Sequence, residues 1–142
     1  MLIHMQFKEP EYENQFNKLP AKLKEIANLF SDYCNNNLTV NPTVTRVWDK
    51  VEGESGVHTC HRAIDFRDVT FNRRNNLVRT FSDREVTVLL EYINIRYPRV
   101  DKKKTMIYHS FQGGPHHFHI QIPFEWLTKE EKENELARFP KE

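Results

Sequence analysis

Apolar residues recur near a 3.6-residue period in PAKLKEIANLFSDYCN, positions 20–35, where Leu23, Ile26, Ala27, Leu29, Phe30 and Tyr33 form one stripe. Such a stripe predicts an amphipathic helix over 20–35 with one face on a core, ended by the asparagine run at 35–37. The period then drops to two. Beyond Asn41-Pro42, Val44, Arg46, Trp48 and Lys50 alternate with Thr43, Thr45, Val47 and Asp49, a β-branched pattern that predicts a strand. After the glycine-bearing turn EGESG, HRAIDFRDV sets Ala63 and Asp65 against Ile64 and Phe66, predicting a second strand with Asp65 near its middle. NRRNN, at 72–76, reads as a polar loop. Ser82 followed three residues later by Glu85 is a capping box, and opens a helix with Val86, Leu89, Leu90 and Ile93 on one side. Pro98 cannot continue that helix, so it should run to about Tyr97. KTMIYHSF and HFHIQIPF flank the glycine-containing loop QGGPH and predict a β-hairpin, and TKEEKENELARF predicts a short polar helix from Thr128.

This order of elements predicts an α+β fold, a small antiparallel sheet with helices packed on one face. A chain of 142 residues suits one domain, 1–142, around one core. Lysine plus arginine number 21 against 20 acidic residues, a net charge of +1, so bulk electrostatics supplies no attraction to nucleic acid or membrane. No apolar run approaches the 18 or so residues of a membrane-spanning helix, and MLIHMQFKEPEYE turns polar too soon for a secretory segment. Synthesis in the cytoplasm, without an address in the chain itself, is the expectation. Cys34 and Cys60 are expected as free thiols.

Chemistry enters with the histidines. Five of the seven fall into two clusters, His58 and His61 in SGVHTCHRAID and His116, His117 and His119 in GGPHHFHIQIP. Imidazole is the commonest protein metal ligand, and a catalytic zinc takes three protein ligands and keeps an open position. His58, Asp65 and one histidine of the second cluster supply that count. His117 and His119 are two apart on a predicted strand, so both rings project from one sheet face. The hairpin would set His109 beside one of them as a cross-strand neighbour.

These residues resemble a known family, the zinc D-alanyl-D-alanine carboxypeptidases and phage endolysin peptidases that cut L-alanyl-D-glutamate bonds, which share the fold of the hedgehog signalling domain. Their motif has the form S-x-H-x-x-G-x-A-x-D, and here Gly56-Val57-His58-Thr59-Cys60-His61-Arg62-Ala63-Ile64-Asp65 matches its His, Ala and Asp in register. The likeness spans roughly 44–123. Gly56 and His61 stand where the motif has serine and glycine, and the glutamate many members place three residues before the third ligand is replaced by His116, counting from His119. Related peptidases of this fold group use a histidine in its place, with the last His of an HxH pair on the metal. The resemblance therefore implies Zn2+ on His58, Asp65 and His119, with His117, His116 and His109 as candidates for general base or oxyanion partner. It also implies a cation on the preceding strand, Arg46, with Lys50 as competitor. The implied reaction is hydrolysis of an amide bond in a peptidoglycan peptide, a histidine taking and returning the proton beside a water whose pKa zinc lowers toward ~7. A phage or prophage source, and action at the cell wall after passage through a separate pore, belong to the same expectation. The alternatives are a degenerate module of this fold that holds zinc or wall peptide without turnover, and a virion-assembly protein with incidental histidines. Trp48 is read as groove or core, Arg62 and Arg67 as facing away from Asp65 and into solvent, and Phe71, Phe81, Trp126 and Phe139 as packing residues.

Overall fold

A computed structural model describes residues 5–48, 61–71, 77–110 and 115–138. Its long helix, α2 (Ala21–Asn37), follows a shorter one, α1 (Pro10–Asn17). Along α2, Leu23, Ile26, Ala27, Phe30 and Cys34 are fully buried, so the stripe read from the sequence is the face laid on the core. The helix ends within the asparagine run as expected, at Asn37, two residues past the expected 35. Asn35 and Asn36 return their side-chain amides to Ser31 O and Asp32 Oδ1 one turn back, and the cap is Leu38. α1 begins with Pro10 at a position whose N–H has no helical acceptor anyway, and carries Glu11 and Glu13 in its first turn.

Five strands form the main sheet in the order β1 (Gln6–Phe7), β2 (Thr43–Arg46), β3 (Ala63–Arg67), β7 (His116–Gln121) and β6 (Met106–Ser110). Three of the four pairings are antiparallel, and the β1–β2 pair is parallel. β2 is shorter than its alternation suggests, because the Trp48 backbone N–H leaves the ladder for Gln15 Oε1 of α1, 3.2 Å away. Two further strands, β4 (Val69–Phe71) and β5 (Leu77–Thr80), form a separate antiparallel pair.

Helix α3 (Asp83–Arg96) has the predicted capping box in full, Glu85 N–H donating to Ser82 Oγ and Ser82 N–H to Glu85 Oε1. Arg79 grips the same carboxylate with both guanidinium nitrogens, and this pairing holds Glu85 down at about 2. Helix α4 (Lys129–Arg138) repeats the device with Thr128 and Glu131, and the second Glu131 oxygen accepts the Ala21 N–H at 2.8 Å, tying α4 to the first turn of α2. Arg62 is not a solvated residue. Its guanidinium lies 2.7 Å from Glu135 of α4 and donates to Ile122 O at 2.8 Å, fastening α4 to the start of β3.

Among the described residues the buried apolar side chains, Ala63 excepted, form one cluster. Its centre is aromatic: Phe30 of α2 sits 4.6 Å from Phe66 of β3 and 5.2 Å from Phe118 of β7, with Phe81 edge-on to Phe118 at 5.4 Å, ring centroid to centroid. Phe71's side chain and Phe139 lie outside the described residues; Phe81 is buried and Trp126 packs partly buried against the cluster. Cys34 is a free thiol, pushed well up by its burial, and Cys60 lies outside the described residues. No helix among the described residues is long and apolar enough to cross a membrane.

Candidate metal centre

Strand parity decides which side chains meet. Ile64 and Phe66 of β3, with Phe118 and Ile120 of β7, point into the helical core, so Asp65, His117 and His119 must share the other face. The register makes this specific: Asp65 lies directly opposite His119, Arg67 opposite His117, Ile107 opposite His119 and His109 opposite His117. Because Ile122 N–H donates to Arg62 O, the residues of β3 and β7 that exchange ladder bonds are Ile64 with Ile120 and Phe66 with Phe118. Asp65 and His119 therefore occupy a non-hydrogen-bonded pair, the position where opposed Cα atoms come closest. Their side chains meet at 2.8 Å, Asp65 Oδ1 to His119 Nδ1.

The second Asp65 oxygen faces His117 Nε2 at 3.5 Å and an Arg46 nitrogen at 4.0 Å. Asp65 is 3 % exposed, so this carboxylate is a buried anion surrounded by two imidazoles and a guanidinium. His109 closes the wall, its ring centroid 4.4 Å from that of His117 and 5.6 Å from that of His119.

Of the sequence-predicted residues, Asp65, His119, His117, His109 and Arg46 are thus brought together. His116 is not among them, since its odd-even position turns it to the other side of β7, where its ring stacks on Tyr108 at 5.1 Å. His58 and Lys50 lie outside the described residues. Arg67, expected to point away, shares the face of Asp65 because the two are two residues apart on one strand. Gln121 was missed for the same reason of parity, two residues beyond His119. Its amide donates to Lys104 O, which turns Oε1 toward His119 Nε2 at 3.2 Å.

That contact bears on metal binding. Both ring nitrogens of His119 thus face an acceptor oxygen, Nδ1 that of Asp65 and Nε2 that of Gln121, so with the proton on Nε2 the Nδ1 lone pair is free to join Asp65 on a cation, and with the proton on Nδ1 the ring donates to Asp65. Two ligands of a tetrahedral zinc stand ~3.3 Å apart, and Asp65 Oδ1 and His119 Nδ1, at the hydrogen-bond distance of 2.8 Å, lie about half an ångström closer than that. Oxygen and imidazole nitrogen are both suitable zinc donors, so Asp65 and His119 fit as two of its ligands. Among the described residues no group of three His, Cys, Asp or Glu is gathered for a metal, and the third expected donor, His58, falls outside them.

His61, which follows the expected ligand loop, has a left-handed backbone, φ 61°. Glycine occupies this position in the motif the sequence resembles, and only glycine reaches such a φ without a Cβ clash. The ring is held by stacking on Trp48 at 4.1 Å with 13° between planes, and Lys18 Nζ lies 6.0 Å from the centroid of the same indole. Burial first, with the nearby Arg138 charge adding to it, lowers His61 to about 4, so it is neutral at pH 7. His61→Gly should be more stable than His61→Ala by about 1 kcal/mol, the reverse of the order in regular helices and strands. Equal denaturation midpoints for the two variants would remove the backbone explanation.

Two concavities lie elsewhere, a groove of about 310 Å3 lined by Lys22, Arg96, Tyr97, Pro98 and Trp126 and a smaller pocket that includes His61, Glu135 and Arg138; neither contains Asp65 or the clustered histidines. The fold and face together define an α+β domain with a buried carboxylate set among strand-borne histidines. No protein-family model, curated protein or solved structure matches this chain.

Proposed function

We propose that the chain is a zinc-dependent peptidase of the hedgehog/DD-peptidase fold, hydrolysing an amide bond in peptidoglycan peptides. The observation that carries the reading is the buried Asp65 carboxylate, 2.8 Å from His119 Nδ1 and 3.5 Å from His117 Nε2, within a His-to-Asp spacing the sequence shares with that family. In this reading Asp65, His119 and His58 hold zinc, which when bound polarises the amide carbonyl and acidifies the attacking water.

The chain's own residues do the rest. His117, partly open to solvent at 17 %, takes the proton from water at Nε2 and returns it to the departing amine, a role for which its Nε2 is placed, facing the Asp65 carboxylate at 3.5 Å. His109 packs edge-on against His117 and limits its ring to orientations facing the Asp65 side. Arg46, 30 % exposed and opposite Asp65 on β2, directs its positive charge to the developing oxyanion. Gln121, against Nε2 at 3.2 Å, orients the His119 ring with Nδ1 toward Asp65.

Zinc content of the purified protein and release of free amines from purified peptidoglycan test this together, with His58→Ala as the control. Stoichiometric zinc and amine release, both lost in His58→Ala, are expected. Stoichiometric zinc without amine release would leave a zinc- or peptide-binding module, a reading favoured by the lack of a carboxylate at position 116. A protein that takes up no zinc overturns the peptidase and the zinc-binding module alike.

A further inference from the structure

β6 is an edge strand, paired with β7 on one side only. The orientation of its backbone follows from two contacts. Thr105 O accepts from Gln121 N–H, so the odd-numbered residues of this strand turn their peptide groups toward β7. Met106, by contrast, turns outward and exchanges two hydrogen bonds with the Asn94 side chain of α3, Met106 N–H to Oδ1 at 2.8 Å and Nδ2 to Met106 O at 2.9 Å. By the same alternation the N–H and C=O groups of Tyr108 and Ser110 point outward, and among the described residues no backbone partner meets them. One end of the edge is thus capped by an amide that behaves as a peptide unit would. The other end is open beside His109, whose ring lies on the face of the proposed zinc site.

We infer that the outer edge of β6 at Tyr108–Ser110 is a docking rail on which an extended substrate peptide adds as a sixth strand. The inference rests on the peptidase reading above and assigns it a second contact region. Two outward residues offer two donors and two acceptors, which is the complement of an extended peptide and of little else. A second copy of the chain is the poorer occupant, because so short an edge buries far less than the ~1,600 Å2 of an ordinary stable interface.

Distances set which part of the peptide sits there. An added strand lies ~4.8 Å beyond β6 and ~10 Å from β7, which carries His117 and His119, and an extended chain advances ~3.3 Å per residue. A chain that leaves the edge and crosses the sheet face toward His117 and His119 covers that ~10 Å in about three residues, so the residues paired along the edge are at least about three removed from the bond that is cut. Binding energy gathered at that remove serves to orient the reacting amide against His117 and Arg46.

The test uses the full chain and the stem pentapeptide L-Ala-γ-D-Glu-L-Lys-D-Ala-D-Ala. Zinc-free protein binds without turnover, and amide hydrogen exchange reports which N–H groups the peptide covers. At saturation, exchange at Tyr108 and Ser110 should slow by at least ~10-fold. Ser110→Pro removes one outward donor at an edge position where proline is tolerated, and should weaken pentapeptide binding ~10-fold with zinc affinity unchanged. Should Ser110→Pro fail to fold, the same loss is read on the unaltered protein with a peptide whose backbone N–H groups are methylated. Unchanged exchange at both amides, or equal affinity for the methylated peptide, overturns the rail. Protection that grows with protein concentration and without peptide identifies a second copy as the occupant and also overturns it. Wall hydrolysis without edge protection sinks this inference alone, whereas edge protection without any amine release sinks the peptidase reading and leaves the rail standing.

Discussion

On the peptidase reading proposed above, Asp65→Asn should weaken zinc binding by more than ~100-fold and lower kcat/KM on peptidoglycan by about 10³-fold, equivalent to about 4 kcal/mol of transition-state stabilisation. The substitution keeps the volume and one carbonyl oxygen, so packing at this 3 % exposed position is preserved and the charge alone is lost. Two consequences follow from the geometry. His119 Nδ1 loses the carboxylate at 2.8 Å, and Arg46 and His117 lose the oxygen they share. Folding should change far less, by about 1–2 kcal/mol, because buried hydrogen-bond partners are weakened rather than removed. Zinc titration by calorimetry and amine release from purified wall, on the same preparation, measure both. A variant that still binds zinc stoichiometrically at the original affinity would show that Asp65 is no ligand.

Phe118→Ala is expected to produce the largest loss of stability, about 3–5 kcal/mol in a denaturant titration. Its ring is fully buried and touches Phe30, Phe81 and Tyr108 at centroid distances of 5.2, 5.4 and 5.1 Å. The substitution also reaches the site, because Phe118 stands between His117 and His119 on β7 and anchors the strand from its other face. Zinc affinity should therefore fall in Phe118→Ala although no donor has been touched. His117→Ala provides the contrast, with a loss of under about 1 kcal/mol in stability and a large loss of activity. Equal destabilisation by the two changes would contradict the division of β7 into a core face and a chemical face.

The same division explains what could be read in advance. The α2 stripe, the Ser82–Glu85 capping box and the antiparallel pairing of the strands on either side of QGGPH depend on spacing within a few residues, and each stands in the fold at nearly its expected position. The approach of His109 to His117 was legible because a hairpin pairs its own flanks. Other features carry a local signal as well. Parity along β3 puts Arg67 on the face of Asp65, parity along β7 adds Gln121 and turns His116 away, and Pro10 with two following acids marks the start of α1. The parallel pairing of β1 with β2 had no local signal, since two residues cannot declare a partner some 37 positions distant.

By itself, the amino-acid order determined which residues are able to be helix, strand or cap, and which side chains of one strand share a face, because those properties repeat every two to four residues along a chain. Tertiary structure decided which strands are neighbours and in what register, and so whether a carboxylate at 65 meets an imidazole at 119. That meeting depends on the aromatic packing of Phe30, Phe66 and Phe118, which joins segments far apart in sequence through burial, a force with no direction along the chain.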